Sequence, residues 1–505
     1  MKKILMALDQ GTTSSRCILF DEGGKVLASA NREFPQYFPE AGFVEHDAEE
    51  IWASQLAVAR EAMQKAGLAA GQIAGIGITN QRETTVVWEK ATGKPICHAI
   101  VWQCRRTAGR CEELRQSGLE LSIREKTGLR LDPYFSATKL EWILNHVPGA
   151  KERAEKGELL FGTVDCWLIY KLTGGRVHAT DPSNASRTML FNIHTMDWDV
   201  ELLTLFGVPR AMCPTVLPSS GIFGQTDEKL FGAPIPIAGV AGDQQSALFG
   251  QGCFDGGDVK NTYGTGGFLL MNTGERMISS AHGLLSSVAW QIGSKVTYAL
   301  EGSVFVCGAA IQWLRDGLGL IACAGESEAL AASVPDTGGV YFVPAFVGLG
   351  TPYWDPYARG TITGITRGTT RAHIVRATLE AMAFQTVDVL HAIQKDTGLP
   401  LNILRVDGGA AKNNLLLSLQ SNFAGVTIER PACVETTAWG AAALAGLATG
   451  VFESIKEIRA LAVPEKQFTP QISEEVRERT LAGWHNAVRA AQCGHLAPPA
   501  AGLIG

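Results

Sequence analysis

The sequence predicts an α/β protein built as two related lobes, and three observations carry that reading. The chain is 505 residues long, too long for one core of ordinary size and enough for two large domains. Apolar strands alternate with amphipathic helices over most of its length, as a helix-covered sheet requires. A polar-tipped hairpin near the start is repeated about half a chain later, which points to two lobes of one design facing one ligand.

The first hairpin occupies Met6 to Asp21. An apolar strand, Ile4 to Leu8, ends in Asp9, a turn of Gly, Thr and Ser follows, and a second apolar strand, Cys17 to Phe20, runs back. Gly11 lets a ligand approach the backbone, while Thr12, Thr13, Ser14 and the loop amides offer donors for phosphate oxygens. Asp9, at the strand end, could hold a hydrated Mg²⁺ that carries those phosphates. Taken alone, these are also ordinary turn residues. The repeat tips the balance: from Val259 the chain again has an extended lead-in, a Gly264-Thr265-Gly266 turn and an apolar strand leading out.

The chain between the hairpins reads as follows. Glu22 to Lys25 turns into a third strand, Val26 to Ala30, so the first lobe opens as an antiparallel meander. Asp47 stands at an N-cap, and Ile51, Trp52, Leu56 and Met63 form the stripe of a helix that closes near Gly67. The strand Ile73 to Thr79 delivers Asn80-Gln81-Arg82-Glu83-Thr84 at its end, and another, Thr85 to Trp88, leads away. Charged residues at a strand terminus suit a ligand cleft, and Arg82 beside Glu83 equally suits a surface ion pair. Trp102 follows another strand, with Arg105 and Arg106 opening a helix. Strands and helices alternate through Gly162 to Leu172 and Ala185 to Asn192. The lobe closes on Ile235 to Gly252, where a small-residue strand meets Asp243 at its junction with a helix from Ser246 onward. A carboxylate there can face a cleft, or simply cap the helix.

The second lobe starts near Val259. Its clearest helix is Thr370 to Lys395, with Ile374, Leu379, Met382, Val389, Leu390 and Ile393 near a 3.6 period and Gly398 ending it. The strand Ile403 to Val406 leads through Asp407-Gly408-Gly409 to Asn414 and a helix through Phe423; the two glycines allow a flat ligand to approach. Thr437 to Gly450 is a small-residue helix with a structural role. Cys493 to Gly505 lacks periodicity and reads as a loose tail.

Composition narrows the function classes. A hydrophobic fraction of 46% and a charged fraction of 19% are those of an ordinary globular protein. The formal charge of −6 gives no general attraction to nucleic acid or anionic membrane, so a phosphate ligand must be captured locally. The apolar run at the N-terminus breaks at Asp9, too soon for a signal peptide, and no stretch is long and apolar enough to span a bilayer. Eleven scattered cysteines without a C-x-x-C pair suit a reducing, cytoplasmic setting. Cys97, Cys104 and Cys111 recur every seven residues, but no His joins them at ligand spacing, so packing is expected there rather than a metal. Neither G-x-x-x-x-G-K-[ST] nor a strand-borne G-x-G-x-x-G is present, which removes the P-loop and Rossmann alternatives.

With these residues in view, the chain resembles the FGGY carbohydrate kinases, and within them the members that act on glycerol. The resemblance runs from Asp9 to about Gly450. It rests on DQGTTSSR, GITNQRETTVVWE, AIVWQCRRT, YFSATKLEWILNH, FGTVDCWLIYKLTGG, AGDQQSALFGQ, NTYGTGGF, GTITGITRGTTRAHIVRATLE and VDGGAAKNN. It implies two ribonuclease-H-like domains of the actin and sugar-kinase type, residues 1–250 and 251–505, with the catalytic cleft between them. It further implies phosphoryl transfer from ATP to a terminal hydroxyl of glycerol, giving sn-glycerol 3-phosphate and ADP. Motif matching carries polyol binding onto Arg82, Glu83, Tyr134, Asp243 and Gln244, with Trp102 and Phe268 as the apolar wall. Nucleotide contacts fall on Thr12, Thr13, Ser14, Arg16, Gly264, Thr265, Gly308, Gln312, Gly409 and Asn413. Mg²⁺, arriving with ATP, falls on Asp9 and Asp243, and Asp243 is also the expected general base. The expected partners are glycerol, ATP and further copies of the chain, as a dimer or tetramer, with no nucleic acid and no membrane.

Physical chemistry agrees with that map. Glycerol offers three hydroxyls and little apolar area, so selectivity must come from hydrogen bonds. Phosphoryl transfer needs mainly positioning and charge neutralisation, which two donor-rich hairpins and Mg²⁺ supply. Against the resemblance, Gly267 stands where relatives often carry Cys, and Trp439 replaces a smaller apolar residue; neither removes an expected polar contact. Leu230 to Pro234 lacks the arginine that some relatives use for a sugar-bisphosphate regulator. Two rivals follow: a family member acting on a pentulose or sugar acid, and an actin- or chaperone-like ATPase, since fold alone does not fix function.

Overall fold

The computed structural model describes residues 3–433 and 435–493. Thirteen strands join into one sheet, labelled in chain order β1 (Ile4–Gln10), β2 (Ser14–Phe20), β3 (Val26–Glu33), β4 (Ile73–Asn80), β5 (Ser220–Gln225), β6 (Pro236–Gly242), β7 (Val259–Tyr263), β8 (Gly267–Gly274), β9 (Leu285–Ile292), β10 (Lys295–Val304), β11 (Ile403–Asp407), β12 (Thr427–Pro431) and β13 (Pro464–Phe468). Their spatial order is β13-β12-β11-β7-β8-β10-β9-β5-β6-β4-β1-β2-β3.

The two halves of this sheet share one plan. In the first, β1, β2 and β3 form an antiparallel meander, β4 lies parallel to β1, β6 parallel to β4, and β5 antiparallel to β6. In the second, β7, β8 and β10 form the meander, β11 lies parallel to β7, β12 parallel to β11, and β13 antiparallel to β12. The halves meet at a single bridged pair, Ser220 with Ile292, between β5 and the additional strand β9. The repeat visible in the two hairpins is therefore a repeat of the whole half-sheet.

Seven helices are labelled: α1 (Ala48–Ala66), α2 (Asp243–Gly250), α3 (Gly308–Asp316), α4 (Arg371–Thr397), α5 (Asn414–Ala424), α6 (Thr436–Ala448) and α7 (Glu474–Cys493). Helix α1 starts as its sequence requires: the Asp47 carboxylate accepts from the Glu49 amide, and Gly67 closes the helix in the left-handed region. Helix α4 ends at Gly398 in the same manner. Its buried residues continue nearly all round from Leu379 to Leu390, so the helix runs through the core of the second half. Among the described residues no helix is long and apolar enough to cross a membrane.

Some elements differ from the sequence reading. The strand expected at Thr85 to Trp88 is Val86–Glu89. The helix expected from Arg105 begins at Ala108, because Arg106 turns inward to pair with Glu45 at 2.5 Å and to cover the Phe43 and Trp142 rings. Helix α2 begins at Asp243 rather than Ser246, so Asp243 is its first residue. Cys493 ends α7, and the rest of the expected tail, 494–505, lies outside the described residues. Strands β9 and β10, and helix α7, were not legible in the sequence. Cys104 packs in an apolar core cluster with Cys97 against it, and Cys111 is buried, where packing was expected.

Helix α6 has the structural role its composition suggests, but across the halves. It packs on β1, β4 and β6 of the first half and on α2. Closeness is possible because Gly440 carries no side chain: a Cβ there would stand 1.9 Å from the Ser246 carbonyl oxygen. Gly440→Ala pushes backbone against backbone, so thermal denaturation of the variant should show a loss of about 1–3 kcal/mol or more. Gly71→Ala, where a Cβ meets nothing within 4 Å, is the matched control.

Candidate active site

The site is assembled where strand ends from both halves meet. Strand β4 is a buried Ile/Gly run that stops at Asn80, and the chain turns through Gln81 to Thr85. Glu83 adopts φ 60°, the left-handed region that a residue with a side chain enters only under constraint, at about 1–3 kcal/mol. The constraint is visible: its carbonyl accepts from Ser136 Oγ at 2.9 Å and Thr85 Oγ1 at 3.1 Å. This turn sends Arg82 and Glu83 into the protein, not to its surface.

Arg82 is the hub. Its guanidinium grips Glu301 at 2.6 and 2.9 Å, donates to Gln245 Oε1 at 3.2 Å and Tyr134 Oη at 3.3 Å, and lies 3.3 Å from Asp243 Oδ1. The stem reaches these groups by running along Gly242, where a Cβ would come within 2.8 Å of it. Arg187, wholly buried, bonds Glu83 at 2.6 Å, reaches Glu301 at 3.4 Å and lies over the Tyr134 and Phe135 rings. Two arginines and two glutamates thus form one buried, compensated cluster. Burial opposes the charge of Glu301, but Arg187 and Arg82 outweigh it and hold the carboxyl at about 2. For Glu83 burial wins, and its carboxyl is pushed up despite Arg187 and Arg82.

The second half supplies one sheet face to this cluster. Register pairs Lys260 with Leu270 and Thr262 with Phe268 between β7 and β8, and Leu270 with Glu301 and Phe268 with Ser303 between β8 and β10. Side chains alternate along a strand, so Lys260, Thr262, Phe268 and Glu301 share one face. Lys260 is fully buried, donates to Gln244 Oε1 and, at 2.9 Å, to Thr262 Oγ1, and has no carboxylate within ion-pair distance among the described residues. Burial pushes its ammonium down to about 8, while Asp407, Asp243 and Glu301 pull it back up.

Asp243 opens α2 directly after the buried β6 strand, and a third of its side chain, 34%, remains exposed. Trp102 meets Tyr134 edge to face with centroids 5.5 Å apart, and its indole N–H donates to Thr12 Oγ1 at 3.0 Å, tying this wall to the first hairpin. In that hairpin the Gly11 amide donates to the Ser14 carbonyl, closing the turn with Thr13 at its exposed tip. Arg16 is turned to Glu435 of the second half. Asp9 is half-buried: burial pushes its carboxyl up, Arg16 pulls it down, and Asp243 and Glu435 push it up again, to about 6. Two mutually repelling, partly accessible carboxylates, Asp9 and Asp243, are hard oxygen donors of the kind Mg²⁺ takes beside phosphate and water, so the residues present fit that ion.

Next to the second hairpin lies a cavity of about 450 Å³, within the range of small-molecule sites. Gly264, Thr265, Gly308, Gln312, Gly409 and Asn413 all line it. The hairpin is bolted to α3, since the amides of Gly308 and Ala309 donate to the carbonyls of Gly264 and Thr265. Asn413 is partly engaged, capping α5 through the Leu416 amide and reaching Ser327 Oγ at 3.3 Å.

The expected residues therefore fall into three groups. Arg82, Glu83, Tyr134, Asp243, Gln244 and Trp102 come together, with Phe268 on the sheet face that carries Glu301. The six cavity residues form a second group. Thr12, Thr13, Ser14, Arg16 and Asp9 form a third, outside the cavity lining. Glu301, Arg187, Lys260 and Gln245 were missed. For Glu301 and Arg187 the signal was present but faint: each is a lone charge in an uncharged or apolar stretch, as in TYALEGSVF around Glu301.

Comparison with known proteins agrees with this architecture. Residues 4–250 match the model of the N-terminal domain of the FGGY family of carbohydrate kinases, and residues 259–449 match that of its C-terminal domain. The chain is 60% identical over 486 residues to glycerol kinase 2 of Thermotoga maritima, covering 96% of this chain and 98% of the relative. It is 59% identical over 491 residues to glycerol kinase of Symbiobacterium thermophilum, covering 97% and 99%. Among solved structures, Plasmodium falciparum glycerol kinase with ADP superposes with a TM-score of 0.92 at 35% identity, covering 97% of this chain and 98% of that one. Gluconate kinase from Lactobacillus acidophilus, at 22% identity and a TM-score of 0.88, shares the fold.

Proposed function

This chain belongs to the FGGY family of carbohydrate kinases, and we propose that it phosphorylates glycerol with ATP, giving sn-glycerol 3-phosphate and ADP. This reading is supported above all by the meeting of Asp243 with Arg82 at 3.3 Å, in a polar cluster tied to the first hairpin through Trp102 and Thr12 and flanked by Phe268 on the strand that leaves the second. The high identity to proteins named glycerol kinase over nearly their whole length supports the substrate.

In this reading the adenosine part of ATP occupies the cavity lined by Gly308, Gln312, Gly409 and Asn413. The phosphates lie between Thr12 to Ser14 with Arg16 on one side and Gly264-Thr265 on the other. Asp9 and Asp243 would hold Mg²⁺, which when bound neutralises phosphate oxygens. Arg82, Glu83, Tyr134 and Gln244 bind the hydroxyls of glycerol, and Trp102 and Phe268 cover its C–H edge and exclude water. Asp243 takes the proton as the O–H bond of the attacking hydroxyl breaks. The new O–P bond forms at the γ-phosphorus, and the bond to the β-phosphate oxygen breaks, leaving ADP. Arg82 orients the Asp243 carboxylate, Glu301 and Arg187 position Arg82 and Glu83, and Lys260 positions Gln244. The division at 1–250 and 251–505, a cytoplasmic location and a dimer or tetramer complete the proposal.

Initial rates of ADP release with Mg²⁺ and ATP, measured on glycerol, xylulose, ribulose, gluconate and a no-substrate control, test the assignment. Strong stimulation by glycerol alone is expected. Stimulation by a pentulose or gluconate instead would overturn the roles of Arg82 and Glu83, and turnover indifferent to all would favour an actin-like ATPase.

A further inference from the structure

A second cavity, of about 300 Å³, lies between the C-terminal part of α4 and helix α7, away from the residues described above. Each helix presents to it a histidine and, one turn later, a long cation: His391 and Lys395 on α4, His485 and Arg489 on α7. Residues four apart share a helix face, so both pairs converge on one space. A chain of net charge −6 does not gather cations by composition alone.

The carboxylate in the wall is already engaged on both oxygens. Asp388 is buried and accepts from Tyr353 Oη at 2.9 Å, Trp484 Nε1 at 2.7 Å and His485 Nε2 at 3.0 Å. The positive charge is not. Among the described residues Lys395 has no hydrogen-bond or ion-pair partner, and Arg489 donates to the neutral Asn486. The His391 ring is likewise without a hydrogen bond among the described residues; burial pushes it down from its ordinary value, so it offers an N–H without charge. The dipole of α4 explains a cation in its last turn at Lys395, but it explains neither His391 nor Arg489.

We propose that this cavity binds a small multivalent anion, a phosphate or a dicarboxylate group, between Lys395, Arg489 and His391. Leu379, which lines the 450 Å³ cavity, lies on the same helix as His391, about 18 Å away along the axis, so the site is distinct from the nucleotide cavity.

Isothermal titration calorimetry on the full chain tests this. The nucleotide cavity is first saturated with Mg²⁺ and a non-hydrolysable ATP analogue. Inorganic phosphate is then titrated in one arm and malonate in another. Saturable binding of at least one of them is expected, weakened tenfold or more in the double variant Lys395→Met/Arg489→Met. That variant's kinase rate without added anion should equal that of the unmodified chain. Saturation by phosphate alone or malonate alone would identify the anion class. No saturable binding in either arm, or equal affinity in the double variant, would overturn the proposal.

Discussion

Asp243→Asn should lower kcat for glycerol phosphorylation by roughly 10²–10⁴-fold, the range a positioned general base supplies, while leaving the fold intact. Structure gives the reason for both halves of this expectation. The side chain is 34% exposed, so the substitution buries no new polar group. Asparagine also retains an oxygen to accept the Gln244 amide, which reaches Asp243 Oδ1 at 2.7 Å. What it loses is the ability to take a proton from the attacking hydroxyl, together with one of the two carboxylates assigned to Mg²⁺. Steady-state kinetics alongside thermal denaturation checks it. A near-normal kcat would remove Asp243 from the chemistry, whereas a collapsed melting temperature would make it structural.

Glu301→Ala should cost about 3–5 kcal/mol of stability, because it strips the shared counter-ion from two buried arginines. Glu301 is fully buried, accepts both terminal nitrogens of Arg82 and reaches Arg187. The effect should extend to function, since Arg82 is the group that meets Tyr134, Gln245 and Asp243. A lowered denaturation midpoint with a raised glycerol KM is therefore expected in thermal and kinetic assays. Unchanged stability would mean that the cluster relaxes without loss, and unchanged KM that Arg82 does not depend on Glu301 for its position.

Much of this site was legible in the sequence where the signal is local. Asp9 ending an apolar strand, Thr12 to Ser14 in a tight turn, and Gly264 to Gly266 opening a second one are each complete within a few residues. Asp243 at a strand-to-helix junction is equally local, and its helix begins at that residue. Glu301 and Lys260 are different. Their meaning comes from register, which places them on one face of β7, β8 and β10 against an arginine more than two hundred positions away for Glu301. Arg82 and Glu83 show the same limit: an adjacent pair reads as a surface ion pair or a cleft, and the left-handed turn at Glu83 decides for the interior. Likewise the small residues of α6 declare close packing without saying against what, and the partner proves to be the other half of the sheet.

Transfer of the γ-phosphoryl group of ATP onto a terminal hydroxyl of glycerol leaves a product that can be identified. The purified protein, Mg²⁺, ATP and ¹³C-labelled glycerol should give, by ³¹P and ¹³C NMR, one phosphomonoester, sn-glycerol 3-phosphate, in equal amount with ADP. ADP accompanied by inorganic phosphate and unchanged glycerol would show an ATPase rather than a glycerol-phosphorylating enzyme.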